Sequence, residues 1–103
     1  MAMLTTQERD NDTILERAAE VLEVSKDDVL KQGIRALLER RLRSIEAQIF
    51  EITGRYAISS VHEMENAYRE GTLEEADSWR DLQRLDHLEY NRDRLRKLIE
   101  TLP

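Results

Sequence analysis

The chain has 103 residues, enough for one domain with its own core and too few for two. Apolar residues make up 40% and charged residues 37%, a balance that excludes disorder and suits long helices with narrow apolar seams. A net charge of −6 speaks against binding phosphates by bulk charge, and the absence of cysteine excludes disulfides and thiolate chemistry.

No apolar run approaches the ~18 residues of a membrane span, and the N-terminus lacks the charged-then-apolar pattern of a signal peptide. A soluble, cytoplasmic protein is expected. Both halves of the chain carry eight basic and eleven acidic side chains, yet the charge is locally sorted. Lys31, Arg35, Arg40, Arg41 and Arg43 face only Glu39 within 31–43. Glu63, Glu65, Glu70, Glu74, Glu75 and Asp77 face only Arg69 within 63–77.

Residues 1–10 show no periodicity and are expected to form a flexible N-terminus ahead of a single helical domain over 11–103. Asn11-Asp12 are good N-cap residues for a short amphipathic helix through Ile14, Leu15, Ala18, Val21 and Leu22, stopping near Glu23-Val24. Ser25 with Asp28 then forms a capping box, and Val24 with Val29 a hydrophobic staple. They open a second helix from Lys26 to Thr53, with Gly54 as its C′ stop. Its Leu38, Leu42, Ile45, Ile49 and Ile52 step by heptad spacing, and Leu30, Ile34 and Leu37 extend that seam. Ser60 with Glu63 opens a short helix closed by Gly71, and Thr72 with Glu75 opens a last long helix reaching Leu102.

The expected fold is all-α: four helices, two short and two long, arranged as elongated antiparallel helical hairpins completed by dimerisation. Residues 11–54 would supply the dimerisation helices and 55–103 the partner-binding helices.

The stretch "RDLQRLDHLEY" (80–90) brings together a His, a Tyr, carboxylates and guanidiniums. Projected at about 100° per residue, it separates into faces. Leu85, Leu88, Leu95, Ile99 and Leu102 form an apolar stripe, whereas Arg80, Arg84, His87, Asn91 and Arg94 lie beside it on a wet basic face. Neither His has a His or carboxylate at i+4 with which to share a metal, and the three glycines are too scattered to cradle a phosphate. No metal and no cofactor are expected. Asp81 and Arg92 intrude on the apolar stripe and each calls for a partner. An antiparallel crossing of two copies would set Asp81 against Arg92, with Arg41 a rival for Asp81.

The segment "VSKDDVLKQGIRALLERRL" (24–42) resembles the helix pair of ribbon-helix-helix proteins, through Ser25, Val29, Leu30, Gly33, Ile34, Leu37 and Leu38. That resemblance implies intertwined dimerisation. The strand that reads DNA in that family has no counterpart in "TTQERDND", which speaks against DNA as a partner. From about residue 20 onward the chain looks like small helical antitoxin-like proteins of archaea and cyanobacteria. This likeness implies an N-terminal dimer and a C-terminal half that embraces a small protein toxin.

The function expected is therefore that of a non-catalytic binding protein, the antitoxin of a type II toxin–antitoxin pair. The acidic segment would steer onto the basic face of a ribonuclease toxin. Partner binding is assigned to Trp79, Tyr90, Asp86, Glu74 and Glu75, and dimerisation to Ile34, Leu38, Leu42, Ile45, Asp81 and Arg92. A homo-oligomeric scaffold without a toxin is the alternative. A third reading rests on Arg80 and His87, whose spacing resembles the Arg-x4–6-His signature of HEPN ribonucleases.

Overall fold

A computed structural model describes residues 6–103. Its four helices are α1 (Thr6–Leu22), α2 (Lys26–Tyr56), α3 (Val61–Glu70) and α4 (Glu75–Thr101), with no strand among the described residues. The all-α class and the two-short, two-long arrangement agree with the sequence reading.

The α1 helix begins at Thr6, ahead of the Asn11-Asp12 start expected for it. Those two residues are good caps, but extending a nucleated helix by one residue adds a hydrogen bond, and nothing in "TQERD" breaks one. Of the expected flexible segment, residues 1–5 lie outside the described residues and 6–10 are helical.

The α1 helix ends in a Schellman motif. Glu23 takes the left-handed conformation (φ 57), while the Glu23 and Val24 amides donate to the Glu20 and Ala19 carbonyls. Ser25 then caps α2, its Oγ accepting the Asp28 amide at 3.0 Å.

The α2 helix passes through Gly54 and stops three residues later than expected. Ala57 is its left-handed residue (φ 54), and the Ile58 amide returns to the Thr53 carbonyl at 3.0 Å. Packing decides the stop. Ile58 must turn back onto the core, and that contact offsets the cost of about 1–2 kcal/mol for a left-handed alanine.

Ser60 caps α3 by accepting the Glu63 amide at 3.2 Å. The Glu63 carboxylate reaches back to the amide and hydroxyl of Ser59, which hold it below its usual carboxylate range. Gly71 (φ 75) closes α3 as expected. The Thr72 box does not form. Thr72 completes the α3 terminus, its amide and hydroxyl both donating to the Ala67 carbonyl, and α4 starts too late for it to serve as cap.

The chain divides inside α2 into a unit ending at Leu37 and a unit spanning Leu38–Thr101. In the second unit, Ile45, Ile49 and Ile52 of α2, Met64 of α3, and Leu85 and Leu88 of α4 form a single buried cluster. Tyr56, Ile58, Val61, Tyr68, Leu73, Leu82 and Leu95 surround it. There α2 and α4 run antiparallel: Glu46 meets Arg96, Gln48 meets Arg84 and Arg55 meets Asp81. Two polar ties hold α3 against α4. The Val61 amide donates to Glu89 at 3.0 Å, and Tyr68 bonds the buried Ser78, whose hydroxyl donates to the Glu74 carbonyl. In the first unit, Leu15, Ala18, Val29 and Leu30 line one cleft, and Lys26 reaches Glu16 at 3.5 Å.

Candidate functional site

The two charges on the α4 stripe resolve differently from the expected crossing of two copies. Asp81 Oδ2 accepts Tyr56 Oη–H at 2.5 Å and Arg55 Nη1–H at 2.7 Å, both within the second unit. The Tyr56 hydrogen bond, assisted by the Arg55 charge, holds the Asp81 pKa below its ordinary value. The same hydrogen bond, with burial, raises the Tyr56 pKa against the opposing effect of Arg55. Arg92 pairs with its neighbour Asp93 at 3.0 Å. Asp81 thus has partners in its own chain. Arg41 does not reach it and instead lines a groove with Asn91 and Arg94.

The rest of the α4 surface divides by sign. Glu63, Glu65 and Glu70 of α3, Glu74, and Glu75 and Asp77 at the start of α4 are all exposed, with Arg69 the cation among them. Further along α4, Trp79 and Tyr90 stand exposed, each with a guanidinium over its ring: Arg80 at 5.8 Å and Arg94 at 5.5 Å. Eleven residues apart on one helix, Trp79 and Tyr90 share a flank at about 100° per residue, and that flank is cationic. Of the acidic residues grouped with them, Glu74 and Glu75 precede the strip and Asp86 sits at its edge. His87 is exposed, its Nε2 3.0 Å from Asn91 Nδ2.

Beside this strip an open groove of about 530 Å³ runs between α2 and α4. Ile45, Leu95 and Leu98 form its floor, and Arg41, Asn91 and Arg94 its polar rim. The sequence reading did not single out this groove. The signal available was Arg94 four residues after Tyr90, a spacing that stacks a cation on an aromatic along one helix face.

The dimerisation residues also separate. Ile45 is buried in the α2–α4 core of its own chain, and Leu38 and Leu42 are half-buried. Ile34 is exposed, in company with Ile14, Val21, Leu22, Leu30 and Leu37. In the unit ending at Leu37, the buried apolar side chain among the described residues is Ala19.

Among the described residues no three His, Asp or Glu side chains are placed to hold a metal ion, and no helix is long and apolar enough to cross a membrane. Arg80 and His87 share the cationic face of α4. The His87 ring is bonded to the Asn91 amide, and among the described residues no carboxylate is bonded to it to orient the imidazole.

Neither a curated protein nor a solved structure matches this sequence. A family model described as "Uncharacterized protein MJ0235 family" matches residues 3–103, nearly the whole chain, and the chain belongs to that family.

Proposed function

We propose that this chain is a non-catalytic binding protein that works as a pair of copies, in the manner of a type II antitoxin. The observation that carries the pairing is the apolar surface of the first unit. Ile14, Val21, Leu22, Leu30, Ile34 and Leu37 expose between 49% and 82% of their surface on two short helical stretches. At roughly 100 Å² each, these six side chains come to about 600 Å² per copy, or about 1,200 Å² for a pair, the lower end of a standard interface. Leaving them in water forfeits the main favourable term in folding, so a second copy of the same face is a natural cover.

The antitoxin form of the reading rests on the exposed acidic edge from Glu63 to Asp77, which suits a small partner with a basic face. Its carboxylates lie outside the core, so covering them with a partner leaves the chain's own packing intact.

The test combines mass in solution with co-purification. Ile34→Asp with Leu37→Asp should convert a dimer to a monomer in sedimentation equilibrium, whereas Asp81→Arg should leave the dimer mass unchanged. The product of an adjacent open reading frame should co-purify with the wild-type chain and be lost on Glu74→Lys with Glu75→Lys. A wild-type chain that is monomeric at high micromolar concentration would defeat the pairing. RNA cleavage by the purified chain that His87→Ala abolishes would defeat the non-catalytic reading.

A further inference from the structure

The α4 helix carries a surface that the pairing and the acidic edge leave unused. Taking Trp79 as the origin at about 100° per residue, a sector roughly 140° wide contains Trp79, Arg80, Gln83, Arg84, His87, Tyr90, Asn91, Arg94, Lys97, Leu98 and Thr101. It contains no carboxylate from residue 79 to residue 101, on a chain whose net charge is −6. Asp86 and Asp93 border one edge and Asp77 the other. Among the described residues, Arg80, Arg84, Arg94 and Lys97 pair with no carboxylate; Arg84 donates to Gln48 at 3.0 Å and lies near enough to Asp81 to help lower its pKa. Arg41 adds a further unpaired cation at the rim of the adjoining groove.

The two aromatics are spaced for a polymer. Trp79 and Tyr90 are eleven residues apart, about 16 Å along the helix axis, and both rings are accessible. Each already carries a guanidinium on its face. A flat aromatic with an adjacent cation can stack an unpaired base while the cation neutralises the neighbouring phosphate, and no sequence is read by doing so. A duplex offers no unstacked base to such a strip. Gln83, set between the aromatics, and Asn91, next to Tyr90, supply neutral donors and acceptors that a 2′-hydroxyl can use.

We propose that the Trp79–Thr101 face of α4, with Arg41 at its side, binds single-stranded RNA, stacking bases on Trp79 and Tyr90 and holding phosphates with Arg80, Arg84, Arg94 and Lys97. This binding is separate from any cleavage and does not rest on the pairing of copies. The sequence contains one tryptophan, Trp79, so the strip reports on itself.

The full chain is titrated with a mixed-sequence 12-nucleotide RNA at low salt, following tryptophan emission. A fluorescein-labelled copy of the same RNA gives the affinity by anisotropy. Saturable quenching of Trp79 is expected, with a slope of log K against log salt of about −3 for four to five neutralised phosphates. Trp79→Ala should weaken binding roughly tenfold or more, Trp79→Phe should retain most of it, and Arg80→Ala with Arg94→Ala should cost at least tenfold. All of these side chains are exposed, so an unchanged helical circular dichroism signal separates lost binding from lost fold. The same-sequence DNA strand and the RNA duplex should bind more weakly. The proposal is overturned if polyphosphate competes as well as RNA at equal charge, or if DNA or duplex binds as tightly. It is also overturned if RNA leaves Trp79 emission unchanged while a co-purified protein shifts it, because the strip is then a protein interface.

Discussion

The end of α2 allows a decisive exchange of side chains, because two candidate stop residues lie three apart and predict opposite signs. Gly54 sits in the helix interior, and a Cβ added there meets no atom within 4 Å. Gly54→Ala should therefore recover the helix propensity difference of about 1 kcal/mol. Ala57 is held at φ 54, where an L side chain costs about 1–2 kcal/mol. Ala57→Gly removes that cost but enlarges the freedom of the unfolded chain, leaving a net gain of about 0.5–1 kcal/mol. The positions share no side-chain contact, so the double variant should gain about 1.5–2 kcal/mol. For a chain of this length that is an upward shift in Tm of about 6–15 °C. Urea and thermal unfolding followed by circular dichroism at one fixed protein concentration measure it; the concentration is held because a self-associating protein gains apparent stability by mass action. Were Gly54 the true terminal residue, Gly54→Ala would destabilise by about 1 kcal/mol, and Ala57→Gly, then beyond the helix, would lower stability by enlarging the freedom of the unfolded chain. The two losses together refute the assignment of Ala57 as the left-handed stop. A loss confined to Gly54→Ala would instead place another chain's backbone against Gly54.

The Asp81 cluster predicts a pH signature. Its folded pKa is depressed, by the Tyr56 hydrogen bond first and then by Arg55, so its stabilisation is fully present above the ordinary value of 3.8 and lost as pH falls through the lower folded value. The stability gap between wild type and Asp81→Asn should be about 1 kcal/mol at pH 7, allowing for solvent, and should close in acid; urea midpoints across pH 2–7 measure it, and a gap that widens in acid contradicts the sign. Leu85 is fully buried among α2 and α3 side chains, and Leu85→Ala should cost about 2–5 kcal/mol by the same assay, a loss that a solvent-facing leucine could not produce.

What the sequence revealed and what it hid follow from the range of each interaction. Ser25, Ser60 and Gly71 act on amides and carbonyls within five residues of themselves, so their roles are written locally. Thr72 was legible as a cap by the same rule, but the end of α3 claims its amide and hydroxyl first. The partners of Asp81 lie 25 and 26 residues away, on a helix whose register against α4 is set by the whole Ile45–Ile52 and Leu85–Leu88 interface. Helix projection could show that Asp81 needed a partner, but not that Tyr56 and Arg55 supply it. The heptad seam of α2 was equally visible from Leu30 to Ile52, since periodicity records which face is apolar and says nothing of what covers it. In the second unit that face is buried against the chain's own α3 and α4, whereas Leu30, Ile34 and Leu37 remain open. Of the residues the sequence reading assigned to dimerisation on this helix, Ile45 is buried in the core of its own chain, Leu38 and Leu42 are half-buried and Ile34 is exposed.

The bulk charge is a poor guide to the basic face of α4 for a related reason. At physiological ionic strength a charge is screened within about 8 Å, while a helix of 27 residues extends for about 40 Å. Its acidic start at Glu75 and Asp77 and its cationic, aromatic remainder from Trp79 onward are therefore electrically separate at their far ends, whatever their sum. A net charge of −6 excludes a chain that coats a polyanion over its whole surface, but it does not constrain a strip one helix face wide. Projection alone places Arg80, Arg84, His87, Asn91 and Arg94 on one basic face; whether that face keeps its charge is legible only once the carboxylates that could neutralise it have been placed. The structure makes those assignments: Asp81 to Tyr56 and Arg55, Glu89 to the α3 amide, Glu46 to Arg96 and Asp93 to Arg92. Of the acids at its borders Asp93 is engaged by Arg92, and among the described residues Asp86 and Asp77 form no ion pair with its cations, so the face from Arg80 to Lys97 keeps its positive charge.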